Sequence, residues 1–351
     1  MRRSAIPSAG QPSPPTPPRS SARRASPLSL VLLGLGVFLL VLAPLLAWYV
    51  EPRAKRTPID INSTTVMTGT GSYFDQETTA TKEGEKLTVT RRVLGDVAKS
   101  EEDDVAVWNV SQTIDNPKTL KLDDPRRSFQ WKKERWVTDR KTNRPVHCCD
   151  ESPGAFAGEG YLKFPFDMEE RGYTWWDSTL GDTVPLRFEG RKKVAGYEGM
   201  HYKGSVKKQV KVGIRQVPAV LVDDSASGQM NAEEWYSNEE IHIIADERTG
   251  RIIYASIAPK LALRPPGGDE DKVTLLQSDK IEFTEKTSRE QVELARDDSD
   301  RLKLVGETLP VAGAAVGGLL AAAGAVLVVR GRRGRGLEGH PDGENAPRSA
   351  M

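Results

Sequence analysis

Apolar and polar positions divide this chain into two uncharged ends and a long mixed middle. Residues 28–50 (LSLVLLGLGVFLLVLAPLLAWYV) run 23 positions without a charge, and residues 309–329 (LPVAGAAVGGLLAAAGAVLVV) run 21. At about 1.5 Å rise per residue, each run spans the roughly 30 Å hydrocarbon core of a bilayer as a helix. Two transmembrane helices are therefore predicted. A cleaved signal peptide competes for the first run, but the run is longer than the roughly 7–15 residues of an h-region and lacks a small-x-small site near Trp48. An uncleaved signal anchor is expected. A buried Gly/Ala-rich helix competes for the second, but the RGRRGRG that follows reads as a stop-transfer signal. Trp48 and Tyr49 sit where interfacial aromatics anchor a span. Gly313 and Gly317 form GxxxG, continued by Ala321 and Ala325, a face for close packing against Ala43 and Ala47 of the first span or against a second copy. The contact within the chain is favoured.

Between the runs the period changes from helical to two. Alternating segments recur at 87–94 (LTVTRRVL), 105–114 (VAVWNVSQTI), 129–139, 197–206, 233–246, 251–258 and 272–284. In the second of these, Ala106, Trp108, Val110 and Ile114 share one face. Seven or so short strands with few helical patterns predict an α+β chain, a mostly antiparallel β ectodomain between two transmembrane α-helices. Two segments offset by 107 residues look alike, WVTDRKTNRPV at 136–146 and IIADERTGRII at 243–253. Asp139 and Asp246 would accept hydrogen bonds from a turn backbone, and Asn143 and Gly250 are types that tolerate a left-handed conformation. Two hairpin turns are predicted. With Phe129 and Tyr236 at the same offset, they raise two related β halves as one reading of the domain. One helix, 288–305, is expected from capping boxes at Thr287/Glu290 and Ser288/Gln291 and from the stripe Val292, Ala295, Ser299, Leu302, Val305. It would join the domain to the membrane.

Charge sets the expected orientation. Arg2, Arg3, Arg19, Arg23 and Arg24 precede the first span, and Arg330, Arg332, Arg333 and Arg335 follow the second. By the positive-inside rule both tails, 1–27 and 330–351, are cytoplasmic, and residues 51–308 lie outside the cytoplasmic membrane. The Pro/Arg-rich tail 1–27 carries PSPPTPP and too little apolar surface to fold, so it is expected to be disordered, as is the polar tail after the second span. A docking or phosphorylation role for Ser13 or Thr16 is the minor alternative to a linker. The tails hold 10 of the 50 basic and 3 of the 49 acidic residues, leaving 40 and 46 between them and a net charge near −6. Such a middle offers no basic face for nucleic acid. The Arg-rich tails suit anionic lipid headgroups instead.

Candidate chemistry is sparse. Cys148 and Cys149, the only cysteines, are adjacent and flanked by His147 and Asp150. A vicinal disulfide is the first reading, ahead of intermolecular pairing or free thiols; a metal site comes last, because the run lacks thiolate spacing and a second ligand pair. The four histidines, His147, His201, His242 and His340, form no HExxH, and no GxSxG, SxxK or P-loop occurs, so no enzyme and no cofactor are expected. The acidic runs at 101–104, 223–224 and 269–271 lack calcium-loop spacing and read as solvated loops. Tyr173, Trp175 and Trp176, with Phe164 and Phe166 upstream, are expected to fill a core, because a mostly β domain needs large residues there, with a ligand groove as the alternative.

The stretches DRKTNRPVHCC, YLKFPFDMEERGYTWWDSTLGDTVPLRFEG and DERTG, with RLKLVGETLP before a Gly-rich span and an Arg cluster, together resemble the uncharacterised actinobacterial membrane family named porin PorA. The resemblance covers essentially residues 28–335. It implies a channel, whereas a β-barrel porin has lipid-facing apolar strands and no long apolar helices. The expected function is binding or scaffolding at the cell envelope, with the bilayer, an envelope lipid or another envelope protein as partners and a homo-oligomer as one arrangement. A channel is the runner-up and an envelope enzyme the third reading.

Overall fold

The computed structural model describes residues 27–122 and 124–333. The readings made on residues 1–26 and 334–351, including Ser13, Thr16 and His340, lie outside the described residues. The chain divides into a helix pair and a sheet unit, Leu46–Thr308. In chain order the elements are α1 (Pro27–Leu45), α2 (Glu51–Ala54), β1 (Asn62–Asp75), β2 (Ala80–Gly95), α3 (Val97–Asp103), β3 (Val105–Asp115), β4 (Gln130–Asp139), β5 (Tyr173–Asp177), β6 (Asp182–Val194), β7 (Tyr197–Pro218), β8 (Gln229–Ala245), β9 (Ile252–Arg264), β10 (Val273–Phe283), α4 (Glu285–Lys303) and α5 (Leu309–Arg333). The chain is α+β, with an antiparallel sheet between two helices long and apolar enough to cross a membrane.

In the helix pair, α1 and α5 pack through small residues. A methyl group on Gly36 would come within 2.3 Å of the Ala321 nitrogen, and one on Gly317 within 2.9 Å of the Gly36 oxygen. Only glycine lets the two backbones approach this closely. Gly313 lies at the looser edge, where an added methyl would stand 3.9 Å from Ala43 Cβ. The expected continuation to Ala325 is replaced by Gly324, which is buried against Leu33 while Ala325 is exposed. Repeated steps of four drift off a face that turns every 3.6 residues, and a step of three restores it.

The sheet unit holds ten strands in the order β4-β3-β2-β1-β10-β9-β8-β7-β6-β5. Two antiparallel meanders, of four and six strands, are joined by the β1–β10 pair, which sets Met67 opposite Phe283. β4 and β5 are the edges, yet they meet through side chains. Trp176 of β5 shares a cluster with Trp108 of β3 and Trp136 of β4 through Phe156 and Tyr161, and Ser178 Oγ donates to Glu134 Oε2 at 2.7 Å. The sheet therefore curls until its edges touch without closing a hydrogen-bonded ladder.

Strands are more numerous and longer than the alternation predicted. β7 has 22 residues, its ladder to β8 interrupted by register shifts such as that at Lys211/Gly213, where bulges add twist. The segments that went unread are β1, β5 and β6. In β1 the inward positions Ser63 and Thr65 line a cavity rather than a solid core, so no apolar alternation marks it. On β3 the predicted face Ala106, Trp108, Val110 and Ile114 is buried, but Val105 and Val107 are buried too. The loop carrying Cys148 and Cys149 covers that second face together with Val137.

The helix expected from 288 starts earlier. Thr284 caps α4, its hydroxyl accepting from the Thr287 nitrogen at 3.1 Å, so the cap lies three residues before the boxes read from the sequence. The Thr287 hydroxyl is engaged elsewhere, accepting from the Val66 nitrogen of β1 at 3.2 Å. Val292 and Ala295 pack on Ile244 and Ile253, while Ile241 and Ile243 serve the opposite face of β8.

Candidate functional site

The site is assembled by two sister turns. After β4, Asp139 Oδ1 accepts from the Thr142 nitrogen at 2.7 Å and the Thr142 hydroxyl at 2.9 Å, and the Asn143 nitrogen closes on the Asp139 carbonyl at 3.0 Å. Between β8 and β9, Asp246 Oδ2 accepts from the Thr249 nitrogen at 2.8 Å and its hydroxyl at 2.6 Å, and the Gly250 nitrogen closes on the Asp246 carbonyl at 2.9 Å. Asn143 and Gly250 take φ of 60° and 70°, the left-handed region that Asn and Gly enter at least cost. These backbone hydrogen bonds hold the Asp139 carboxyl below its usual range against the opposing effect of burial.

The loop between β4 and β5 rests on both turns. Asn143 Nδ2 donates to the Glu159 and Lys163 carbonyls, both at 3.0 Å, and the Tyr161 hydroxyl donates to the Asn143 carbonyl at 2.6 Å. On the other side, the nitrogens of Phe164, Asp167 and Met168 donate to the carbonyls of Gly250, Arg248 and Glu247. Lys163 stands between the two anchorages, bridged by its backbone to Arg251.

The Lys163 side chain lines a cavity of about 340 Å³, within the range of small-molecule sites. Val93, Trp108, Leu162, Ile252, Phe283 and Leu302 supply apolar wall, and Arg56, Arg91, Lys163, Arg251 and Arg301 face the same space with one acid, Asp298. The Lys163 ammonium lies 3.5 Å from the centre of the Phe166 ring. Among the described residues no carboxylate pairs with it. Burial, reinforced by the Arg251 charge, lowers its pKa to about 7, against the opposing pull of Asp298 and Asp246. Arg251 Nη2 donates to Asp298 Oδ2 at 2.8 Å, yet its Nε is buried without a partner, as are Arg56 Nε and Thr57 Oγ1.

A smaller cavity of about 100 Å³ lies deeper in the sheet and shares Thr65, Arg91, Ile252 and Phe283 with the larger one. Trp175, Trp176, Ile241, Ile257 and Leu276 line it. The Tyr236 hydroxyl donates to Asp177 Oδ2 at 2.8 Å at its wall, and burial raises the phenol pKa well above its ordinary value.

The Porin PorA family model matches residues 28–326. The chain belongs to the Porin PorA family. No match is found among curated proteins.

For this Porin PorA family chain, the residues singled out by sequence fall in different places. Asp139, Asn143, Asp246 and Gly250 come together around the 159–168 loop. Of the aromatic trio, Trp175 and Trp176 line the smaller cavity, but Tyr173 is buried against Phe164 and Tyr202. Cys148 and Cys149 are joined in a disulfide on the far face of β3. Asp103 lies near them, but paired sulfurs offer no thiolate to a metal. Gly313 and Gly317 belong to the helix pair. Lys163, Arg251, Arg56 and Thr57 were missed. The one available signal was Lys163 itself, a lone cation in the run Tyr161–Phe166.

Proposed function

We propose that the sheet unit binds an apolar ligand in the curl of its sheet and acts by holding it, not by catalysis. The observation that carries this is the larger cavity, continuous in its lining with the smaller one and walled by aliphatic and aromatic side chains. No cofactor enters this reading. The domain is presented outside the cytoplasmic membrane, with both termini cytoplasmic and the first span kept as a signal anchor, as the arginine distribution supports. Its ligand then comes from the envelope, an amphiphile with at least one hydrocarbon chain. Full-length protein in phosphatidylcholine nanodiscs should bind a fluorescent dodecyl-chain probe saturably, one per chain. Thr65→Phe, at the junction of the cavities, should abolish binding with little change in melting temperature; unchanged binding would place the ligand elsewhere.

The family name favours a second reading, a channel. The sheet's outer positions carry ion pairs such as Lys211–Glu233 and Lys203–Glu240, an arrangement suited to water rather than lipid. A pore would therefore be formed by the helices of several copies. Conductance of the purified full chain in a planar bilayer tests it directly.

A further inference from the structure

We infer that the amphiphile in the larger cavity carries an acidic group, a carboxylate or a phosphate, received by Lys163 together with Arg251 and Arg301. This rests on the cavity being the ligand site. Five cationic side chains face it and one carboxylate does, so the protein brings more positive charge to an apolar enclosure than it neutralises. Three of the five are already engaged: Arg251 with Asp298, Arg56 with Asp104 and Arg91 with the neutral Gln112. Lys163 and Arg301 have no acidic partner among the described residues. Arg301 is exposed and stays solvated, but the Lys163 charge, left unpaired in a largely enclosed space, is costly, and an entering anion removes that cost.

Hydrogen bonding points the same way. Arg251 Nε, Arg56 Nε and Thr57 Oγ1 are buried, unpartnered and able to donate, and all three residues line this one cavity. Buried donors that find no partner within the fold are rare, and an oxyanion offers several acceptors at once. A neutral sugar could accept from these donors but would leave the excess charge standing. A free ion would leave Trp108, Phe283 and Leu302 facing nothing apolar. An acid on a hydrocarbon chain matches both kinds of wall.

The groups facing Lys163 are Arg251 and Asp246 from the turn, Asp298 and Arg301 from α4, and Arg56 from the segment after α2. Because the free ammonium titrates near neutrality, an anion bound beside it recruits a proton as the pH rises above 7.

The test compares probes of one chain length on the full protein in phosphatidylcholine nanodiscs, with empty nanodiscs as the partition reference. Dodecanoate or dodecyl phosphate should bind at least ten-fold more tightly than dodecanol at pH 6.5, with the advantage shrinking toward pH 9. Lys163→Met should remove most of that advantage while dodecanol still binds, and should raise the melting temperature, since an unpaired enclosed charge is gone. A misfolded variant would instead lose dodecanol as well, and Arg301→Gln, on the exposed side of α4, then provides the same comparison. Equal affinity for acid and alcohol would overturn the acidic headgroup and leave the cavity reading standing. Failure of every dodecyl probe would overturn both. Inorganic phosphate displacing dodecyl phosphate while dodecanol fails to bind would reduce the site to a free-anion site and overturn the amphiphile.

Discussion

The two sister turns use one code to opposite ends. Both run Asp-x-x-Thr and close on a residue of positive φ, and both are clasped by the same loop. At the first turn the clasp is made by a side chain, Asn143 Nδ2 reaching the Glu159 and Lys163 carbonyls. At the second it is made by the lack of one, since a methyl on Gly250 would stand 2.1 Å from the Phe164 carbonyl oxygen. The chains beyond differ too. Gly250 leads into the 13 residues of β9, whereas Asn143 leads to Pro145, which cannot donate to a ladder, and to two isolated bridges back to β4, Thr138–Pro145 and Arg135–Ser152. A shared turn motif thus fixes the reversal and the neighbour, while the residue at its left-handed position decides how the neighbour is held. It gives no grounds for equal halves: the meanders have four and six strands.

Gly250→Val should break the second clasp with the largest effect. It combines a left-handed β-branched residue, about 1–2 kcal/mol, with displacement of a backbone carbonyl, so a loss of about 3 kcal/mol or more in unfolding of the full chain is expected. Asn143→Gly keeps the backbone conformation and removes only the two amide hydrogen bonds. It should cost about 1–3 kcal/mol through unsatisfied carbonyls and loosen hydrogen exchange at Tyr161 and Phe164. A larger loss from Asn143→Gly than from Gly250→Val would reverse the comparison.

The carboxylates separate the turns further. Asp246 is buried and also accepts from the Tyr197 hydroxyl at 2.6 Å, whereas Asp139 is half-buried and serves its own turn. Each carboxyl accepts three hydrogen bonds, Asp139 taking its third from the Lys141 nitrogen, so burial sets the difference: Asp246→Ala should destabilise by about 2 kcal/mol and Asp139→Ala by about 1 kcal/mol. Equal losses in thermal unfolding would show that the deeper burial of Asp246 adds nothing.

Both turns were legible because their chemistry is local: an Asp that accepts from the next few nitrogens is written within five residues. The two apolar helices and most strands were legible for the same reason, their periods being visible in short windows. β1 was not, because its inward Ser63 and Thr65 face a cavity that strands and loops more than 200 residues apart enclose. The cationic wall shared that fate. Arg56, Lys163, Arg251 and Arg301 are scattered along the chain, and nothing local says that they converge. Thr287 was read as the start of α4, whereas it bonds a strand that only the fold brings near.

Lys163 lies where the two clasps meet, and its titration reports on both. Its pKa is lowered by burial, so from about pH 7 up to the ordinary lysine range the unfolded chain binds more protons than the folded one. Stability therefore rises with pH across that window, by about 1 kcal/mol between pH 7 and 8 for one such group. Lys163→Met should flatten that rise. If the rise persists in the variant, another group carries it.

The smallest expected effect concerns what the first turn has and the second lacks, the Cys148–Cys149 disulfide downstream of it. A bond between neighbours closes almost no loop, so it restrains the unfolded chain far less than the 15-residue loop that gives about 3 kcal/mol. Its contribution lies in shaping the loop that covers Val105, Val107 and Val137. Mild reduction should lower stability by less than about 1 kcal/mol. It should leave exchange of the Asn143 amide unchanged, because that amide is bonded to the Asp139 carbonyl within the turn. A loss of protection at Asn143 on reduction would mean that the first turn depends on the disulfide loop, and the two turns would then be alike in sequence but not in what secures them.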